Sequence, residues 1–170
     1  MAILPAIDLG LMAEHLTAHQ GAIQKLHVYE HNVSNPKLKE IIRLQKNVMK
    51  THVKVMLALI NPNTDYYVEV PDIETIKQTS NQAQTNASGN SSNDKWITLE
   101  AHNAAKNMAN QNYVSALLMK NQNVRNAHVK MAQQQLKMQE KYEKIIKQNG
   151  WIYTPQATAE EQKKTYQKFA

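Results

Sequence analysis

The chain has 170 residues, a formal net charge of +6 and no cysteine. Its length suits a single domain with a sizeable core, and the absence of cysteine excludes disulfide scaffolds, thiolate catalysis and cysteine-based zinc sites. Four glycines and five prolines are too few for an all-β chain with many turns. We therefore expect one helical domain over residues 1–170.

The charge permits an anionic partner, but the basic residues are spread along the sequence, which is typical of solvated helix faces. We therefore expect no nucleic-acid partner; an anionic polymer would require lysines and arginines to gather on one folded face. Residues 1–8 have neither a basic region nor a sustained apolar run, so we expect no signal peptide and synthesis in the cytoplasm. No apolar stretch approaches the roughly 20 residues of a membrane span, so we expect no membrane partner.

The first two helices are predicted over residues 9–33 and 36–60, where apolar residues recur at spacings of three and four. Asn35 is the predicted N-cap of the second helix and Pro36 suits its first position. The short connection makes the two helices antiparallel neighbours. The apolar stripe of the first helix consists of Leu9, Met12, Leu16, His19, Ile23, Leu26, Glu30 and Val33.

The connection over residues 61–94 is unusually long for a compact domain. Residues 66–71 have extended character, whereas residues 77–94 are almost entirely small or polar. The segment is either a disordered linker between two hairpins or a crossover that spans the bundle. We favour the crossover, because 34 residues easily cover the roughly 37 Å of a 25-residue helix.

The third and fourth helices are predicted over residues 95–119 and 123–149, with a tail over residues 150–170. Gly150 is the predicted C-cap, and a capping box over residues 158–161 predicts a short final helix. We expect the end of the bundle to receive Trp151 and Tyr153. The third helix has the apolar stripe Trp96, Leu99, Tyr113 and Leu117, and the fourth has Val124, His128, Met131, Gln135, Met138, Tyr142 and Ile145.

Two antiparallel hairpins joined by one long connection describe an all-α, ferritin-like four-helix bundle with a crossover over residues 61–94 and a short C-terminal helix. In this topology three histidines lie on apolar stripes within about two turns of one level. Asn110 and Gln111 of the third helix fall near the same height. The three histidines are His19, His52 and His128.

These three histidines are the candidates for a metal site, since imidazole binds zinc, copper and iron. A carboxylate di-iron site would need Glu-x-x-His on two helices, but Met49 and Arg125 stand where the glutamates would be. A hydrogen-bonded polar layer is the favoured interpretation, so we expect no metal and no cofactor. The alternative is a ferritin-like metal-binding protein. The other histidines are expected on exposed or flanking faces: His15, His27, His31 and His102.

No sequence pattern indicates an enzymatic reaction. The chain has no Ser/His/Asp order, no glycine-rich phosphate loop and no nucleotide fingerprint. We therefore expect no enzymatic activity and no catalytic residue. Glu30 and Glu100 fall near the turn between the first two helices, where a structural ion pair is the favoured role.

The end of the fourth helix carries a family resemblance. The segment Lys147-Gln-Asn-Gly-Trp-Ile-Tyr-Thr-Pro155 resembles the tail of the spore coat protein F (Coat F) family of endospore-forming bacteria. Gly150, Trp151, Tyr153 and Pro155 match that tail, with Ile152 inserted between the aromatic residues. The resemblance implies a ferritin-like domain and a structural role in the spore coat. The implied partners are further copies of the chain, as a homo-oligomer, or other coat proteins.

Overall fold

The computed structural model describes residues 3–79 and 91–170, and that part of the chain is helical without a strand. The predicted all-α bundle with a short C-terminal helix is confirmed. The helices are α1 (Ala6–Asn32), α2 (Pro36–Ile60), α3 (Ile73–Thr79), α4 (Ser91–Leu118), α5 (Gln122–Gln148) and α6 (Ala159–Phe169).

Four long helices form the bundle, as two hairpins, α1–α2 and α4–α5. Helix α2 packs beside α5 and α1 beside α4, which gives the order α1, α2, α5, α4 around the bundle. The α4–α5 contact is the most extensive and the α1–α4 contact is the sparsest of the four. The groove between α1 and α4 is therefore the most open side of the bundle.

Each hairpin turn is held by an aspartate of the other hairpin. The carboxylate of Asp8, at the start of α1, accepts hydrogen bonds from the backbone N–H groups of Lys120 (2.8 Å) and Asn121 (2.7 Å). The carboxylate of Asp94, near the start of α4, accepts from the N–H (2.8 Å) and hydroxyl (2.8 Å) of Ser34 and from the N–H of Asn35 (3.1 Å). Both aspartates are buried. The two hairpins thus clamp each other's turns at opposite ends of the bundle.

Both turns lead into helices that are capped in the same way. Asn35 accepts hydrogen bonds from the backbone of the second and third residues after it, and Asn121 does the same at α5. Capping asparagines satisfy N–H groups that have no partner within a helix, worth about 1 kcal/mol each. The predicted cap at Asn35 is observed, with Pro36 directly after it.

The described part of the connection, residues 61–79, packs on the bundle. The Asn123 side chain donates to the carbonyl of Val68 (2.8 Å) and accepts from its N–H (2.9 Å), so it pairs with the connection as a neighbouring strand would. In α3, Ile73 and Ile76 are buried in a cluster that includes Val48 of α2. Residues 80–90 of the predicted crossover lie outside the described residues.

The apolar stripe predicted for the third helix faces outward, which corrects the sequence interpretation. Trp96 is 66% exposed, Tyr113 53% and Leu117 67%. The buried face of α4 instead carries mainly small or polar residues: Asp94, Ile97, Thr98, Ala101, Ala105, Met108, Asn112, Ser115 and Ala116. Small side chains allow α4 to approach α5 closely, so close packing rather than hydrophobicity decides which face is buried.

Gly150 ends α5 with a positive φ of 64°. The N–H of Gly150 bonds the carbonyl of Lys147 (3.2 Å), and that of Trp151 bonds the carbonyl of Ile146 (3.0 Å), the two bonds of a Schellman motif. Trp151 then packs, half-buried, against the cluster around Tyr142.

The rest of the tail departs from the bundle. Tyr153, which we expected at the end of the bundle, is 87% exposed. The capping box over residues 158–161 is present at the start of α6. All residues of α6 are exposed, including Phe169 at 80%.

Candidate functional site

Four histidines lie buried in the middle of the bundle. His19, His52 and His128 have no exposed surface and His15 is 6% exposed. His15 and His19 are one turn apart on α1, and His52 and His128 come from α2 and α5. We call this set the histidine layer.

The rings of the histidine layer follow one another across the bundle. The ring centroids of His52 and His19 are 5.5 Å apart, those of His19 and His15 6.1 Å, and those of His15 and His128 5.1 Å. The three predicted histidines are thus all buried in one layer. His15, which we placed on an exposed or flanking face, is the link between the His19–His52 pair and His128.

His19 and His52 meet through ring nitrogens. Nε2 of His19 lies 3.3 Å from Nδ1 of His52. The other nitrogen of His19, Nδ1, is 2.7 Å from the carbonyl oxygen of His15. A carbonyl can only accept, so Nδ1 of His19 carries the hydrogen. Nε2 of the neutral ring then has no hydrogen and presents a lone pair; we call such a nitrogen bare.

The tautomer of His52 is set by Gln134. Nε2 of His52 is 2.8 Å from Oε1 of Gln134, whose amide nitrogen donates to the carbonyl of Pro71 at 2.7 Å. Only the –NH2 group of that amide can face the Pro71 carbonyl, so its oxygen faces His52 and Nε2 of His52 must donate. Nδ1 of the neutral His52 ring is therefore also bare.

His128 has a third bare nitrogen. Its Nδ1 lies 2.9 Å from the carbonyl oxygen of Val124, so it carries the hydrogen. Its Nε2 is buried without a hydrogen-bond partner. Nε2 of His15, by contrast, lies 2.8 Å from the hydroxyl of Ser115 on α4. The hydrogen-bonded polar layer that we expected for His19, His52 and His128 therefore leaves this nitrogen of His128 unpaired.

Burial keeps the rings of the histidine layer neutral. It lowers the pKa of His15 and of His19 to about 4 and that of His52 to about 3, and neighbouring imidazoles add to the effect. The pKa of His128 is lowered by burial as well. At neutral pH all four rings are uncharged, which is the form that binds a metal ion.

A second polar cluster lies next to the histidine layer along the bundle. The hydroxyl of Tyr142 donates to the amide oxygen of Gln45 (2.7 Å), whose nitrogen donates to Gln135 (3.2 Å). The nitrogen of Gln135 in turn lies 2.9 Å from the sulfur of Met49. Each amide in this cluster has a partner, so it satisfies buried polar groups and fixes the register of α2 against α5.

The groove between α1 and α4 contains a cavity of about 290 Å3 that reaches the histidine layer. His15 and Ser115 line it together with Glu14. Asn110 and Gln111, predicted to join the buried layer, are exposed and line this cavity instead. The cavity gives His15 contact with the surface.

The remaining candidates have structural roles. Glu30 is buried between Arg43 and Lys46 of α2. Burial raises the pKa of the Glu30 carboxyl, but the hydrogen bonds and charges of the two basic residues outweigh burial and lower this pKa overall. Glu100 pairs with Lys25 (2.9 Å) and accepts from Tyr29 (3.0 Å), which joins α4 to α1. The other three histidines lie outside the histidine layer: His27 and His31 are exposed, and His102 is half-buried.

Arg125, which stands where a di-iron site would need a glutamate, caps the end of α4. Its guanidinium donates twice to the carbonyl of Met119, at 2.7 and 3.2 Å, in the turn after α4. Over residues 3–79 and 91–170, no group of three or more His, Asp or Glu side chains is already arranged to hold a metal ion. In the same ranges, no helix combines the length and hydropathy required to cross a bilayer.

The fold defines an all-helical bundle of two hairpins whose second hairpin ends in a glycine-capped tryptophan tail. Residues 93–156 match the family model of the Coat F domain. This match confirms that the chain resembles the spore coat protein F family. The match covers nearly all of α4, all of α5 and the tail through Gln156, including Gly150 and Trp151. Comparison with curated proteins and with solved structures gave no match.

Proposed function

We propose that this protein is a structural component of the bacterial spore coat that assembles with further copies of itself and has no catalytic activity. The Coat F domain over residues 93–156 carries the proposal. That domain supports the coat location, and the apolar surface that it exposes supports the self-association. We propose that residues 1–170 act as one unit, since Asp8 and Asp94 tie each hairpin to the other.

An exposed apolar surface lies inside the Coat F domain. We define the α4 outer face as Val114, Leu117 and Leu118, which are 49%, 67% and 48% exposed. Ile7 of α1, 43% exposed, lies at the same end as Leu118, because Asp8 contacts the turn after α4. Contiguous exposed apolar side chains are typical of protein–protein contacts.

Charge favours a contact between the α1–α4 sides of two copies of the chain. Helices α2 and α5, which are adjacent, together carry twelve basic and three acidic residues. Helices α1 and α4, on the opposite side, carry three basic and five acidic residues, but Asp8, Glu30 and Asp94 are buried, so two acidic residues remain at the surface. The α1–α4 side is therefore close to neutral and can pack against its counterpart in a second copy, whereas two α2–α5 sides would repel each other.

This contact has a consequence for assembly. It joins identical surfaces and closes a dimer, so growth into an extended array requires a further contact. An extended array is what a coat layer needs. The tail motif, Gly150, Trp151, Tyr153 and Pro155, would add a second contact through the exposed Tyr153.

Localisation tests the proposal in the producing bacterium. A fluorescent fusion is expected to encircle the developing spore, and Leu117→Glu is expected to abolish that ring without lowering the amount of folded protein. Phe169→Glu is the control, because Phe169 is 80% exposed on α6, away from the α4 outer face. A fusion that stays diffuse in wild-type cells would refute the coat location. A wild-type ring that Leu117→Glu leaves intact would refute the α4 outer face alone.

A further inference from the structure

The His19–His52 contact is unstable as two neutral rings. Both facing nitrogens are bare, because each ring donates its hydrogen to an oxygen on its other side. Two lone pairs 3.3 Å apart repel each other, and the gap is too short for a bridging water. A cation between the two nitrogens removes the repulsion.

We propose that the histidine layer binds one divalent transition-metal ion of the zinc class, held first by Nε2 of His19 and Nδ1 of His52. Two nitrogens bound to one tetrahedral zinc ion at about 2.0–2.1 Å lie about 3.3–3.4 Å apart. The observed separation of 3.3 Å is that distance. The two nitrogens are thus spaced as ligands of a single ion.

The surroundings of both rings match those of metal ligands. A histidine that binds a metal ion donates its other ring N–H to a carbonyl or carboxylate, which fixes the tautomer and the ring orientation. His19 donates to the His15 carbonyl, and His52 donates to Gln134, which the Pro71 carbonyl orients in turn. The crossover segment therefore holds a metal ligand in place through Pro71.

His128 is the third ligand that we assign. Its bare Nε2 is fully buried and has no hydrogen bond to lose, whereas His15 would first have to give up Ser115. The third nitrogen is not yet beside the pair, since no group of three ligands is assembled in the described part of the chain. Metal binding therefore requires the His128 side chain to move toward His19 and His52.

The donors select the class of metal. Three neutral imidazoles in a buried site favour zinc, copper, nickel or cobalt, while magnesium and calcium require oxygen ligands. The cavity between α1 and α4 supplies the entry path, with Glu14 and His15 on its lining. Val114 of the α4 outer face also lines this cavity, but the three ligand nitrogens lie inside the bundle, so the proposal does not depend on the assembly surface.

Cobalt titration of the metal-free, untagged full chain tests the proposal. We expect one Co2+ per chain, a visible spectrum typical of tetrahedral nitrogen ligands, and displacement by Zn2+. In nitrogen NMR spectra of the imidazoles, His19 and His52 should respond to Zn2+ at one equivalent. Absence of binding in the wild-type protein would overturn the proposal, as would spectra in which a shared proton lies between the two rings and zinc changes nothing.

Variants assign the ligands. His52→Gln is expected to weaken Co2+ binding at least about tenfold, and His128→Gln to do the same with loss of the tetrahedral spectrum. The control is His27→Gln with His31→Gln, an exposed pair one turn apart whose rings are 4.5 Å apart. Loss of binding in this control, with binding intact in His52→Gln, would place the metal on the surface and overturn the proposal. The wild-type NMR titration decides the question if a buried variant does not fold.

Discussion

The clamp between the hairpins makes a quantitative prediction for Asp8→Ala. The substitution removes the acceptor of two buried backbone hydrogen bonds, from Lys120 (2.8 Å) and Asn121 (2.7 Å). Hydrogen bonds to a charged group contribute about 1.5–3 kcal/mol each. Because water can reach part of the opened turn, we expect the free energy of unfolding to fall by about 3 kcal/mol, near the lower end of the sum for two such bonds.

Urea denaturation followed by circular dichroism measures this loss. Asp65→Ala is the control, since Asp65 is exposed in the connection, and its substitution should change the free energy of unfolding by less than about 0.5 kcal/mol.

A second clamp provides an internal check. Asp94→Ala should cost at least as much as Asp8→Ala, because Asp94 accepts three hydrogen bonds. The two clamps lie at opposite ends of the bundle, so the double variant should lose the sum of the single losses within about 0.5 kcal/mol. A loss below about 1 kcal/mol for Asp8→Ala would show that the turn does not depend on the carboxylate, and the clamp account would be wrong.

Two further predictions concern pH and glycine. In the metal-free protein, burial lowers the pKa of His15 and His19 from 6.5 to about 4 and that of His52 to about 3, so the unfolded chain binds protons that the folded chain does not. The contribution of these histidines to the free energy of unfolding should be complete above pH 6.5. Below that pH the free energy of unfolding should fall by about 1.4 kcal/mol per pH unit for each histidine. A urea denaturation series that gives the same value between pH 7 and pH 5 would contradict this. Gly150→Ala should destabilise by about 1 kcal/mol because φ is 64°, whereas Gly10→Ala, exposed inside α1 with open space around its Cα, should stabilise by about 0.5 kcal/mol or more. Thermal unfolding that shifts in the same direction for both variants would refute the backbone explanation.

Helices α2 and α5 could be predicted well, because their buried faces are apolar stripes at helical spacing. The buried face of α4 could not. It buries Ala101, Ala105 and Ser115 and exposes Trp96 and Leu117, the reverse of what hydropathy favours. The reason is the tight α4–α5 contact, which is not visible in one helix's sequence.

The histidine layer was partly predictable. The spacing of residues on their helices placed His19, His52 and His128 at one level. His15 was missed because α1 is rotated slightly from its apolar stripe, although its position one turn before His19 was a usable signal. The tautomers could not be predicted, since they depend on the contact between Gln134 and Pro71, which are 63 residues apart in the chain.

Self-assembly through the α4 outer face is the central functional claim, and the mass of the purified protein in solution tests it most directly. Light scattering over a range of concentrations should show multiples of the 19.4 kDa chain that grow with concentration. Leu117→Glu should remain at 19.4 kDa throughout, while Phe169→Glu behaves as the wild type. A wild-type protein that stays at 19.4 kDa at every concentration would contradict the claim.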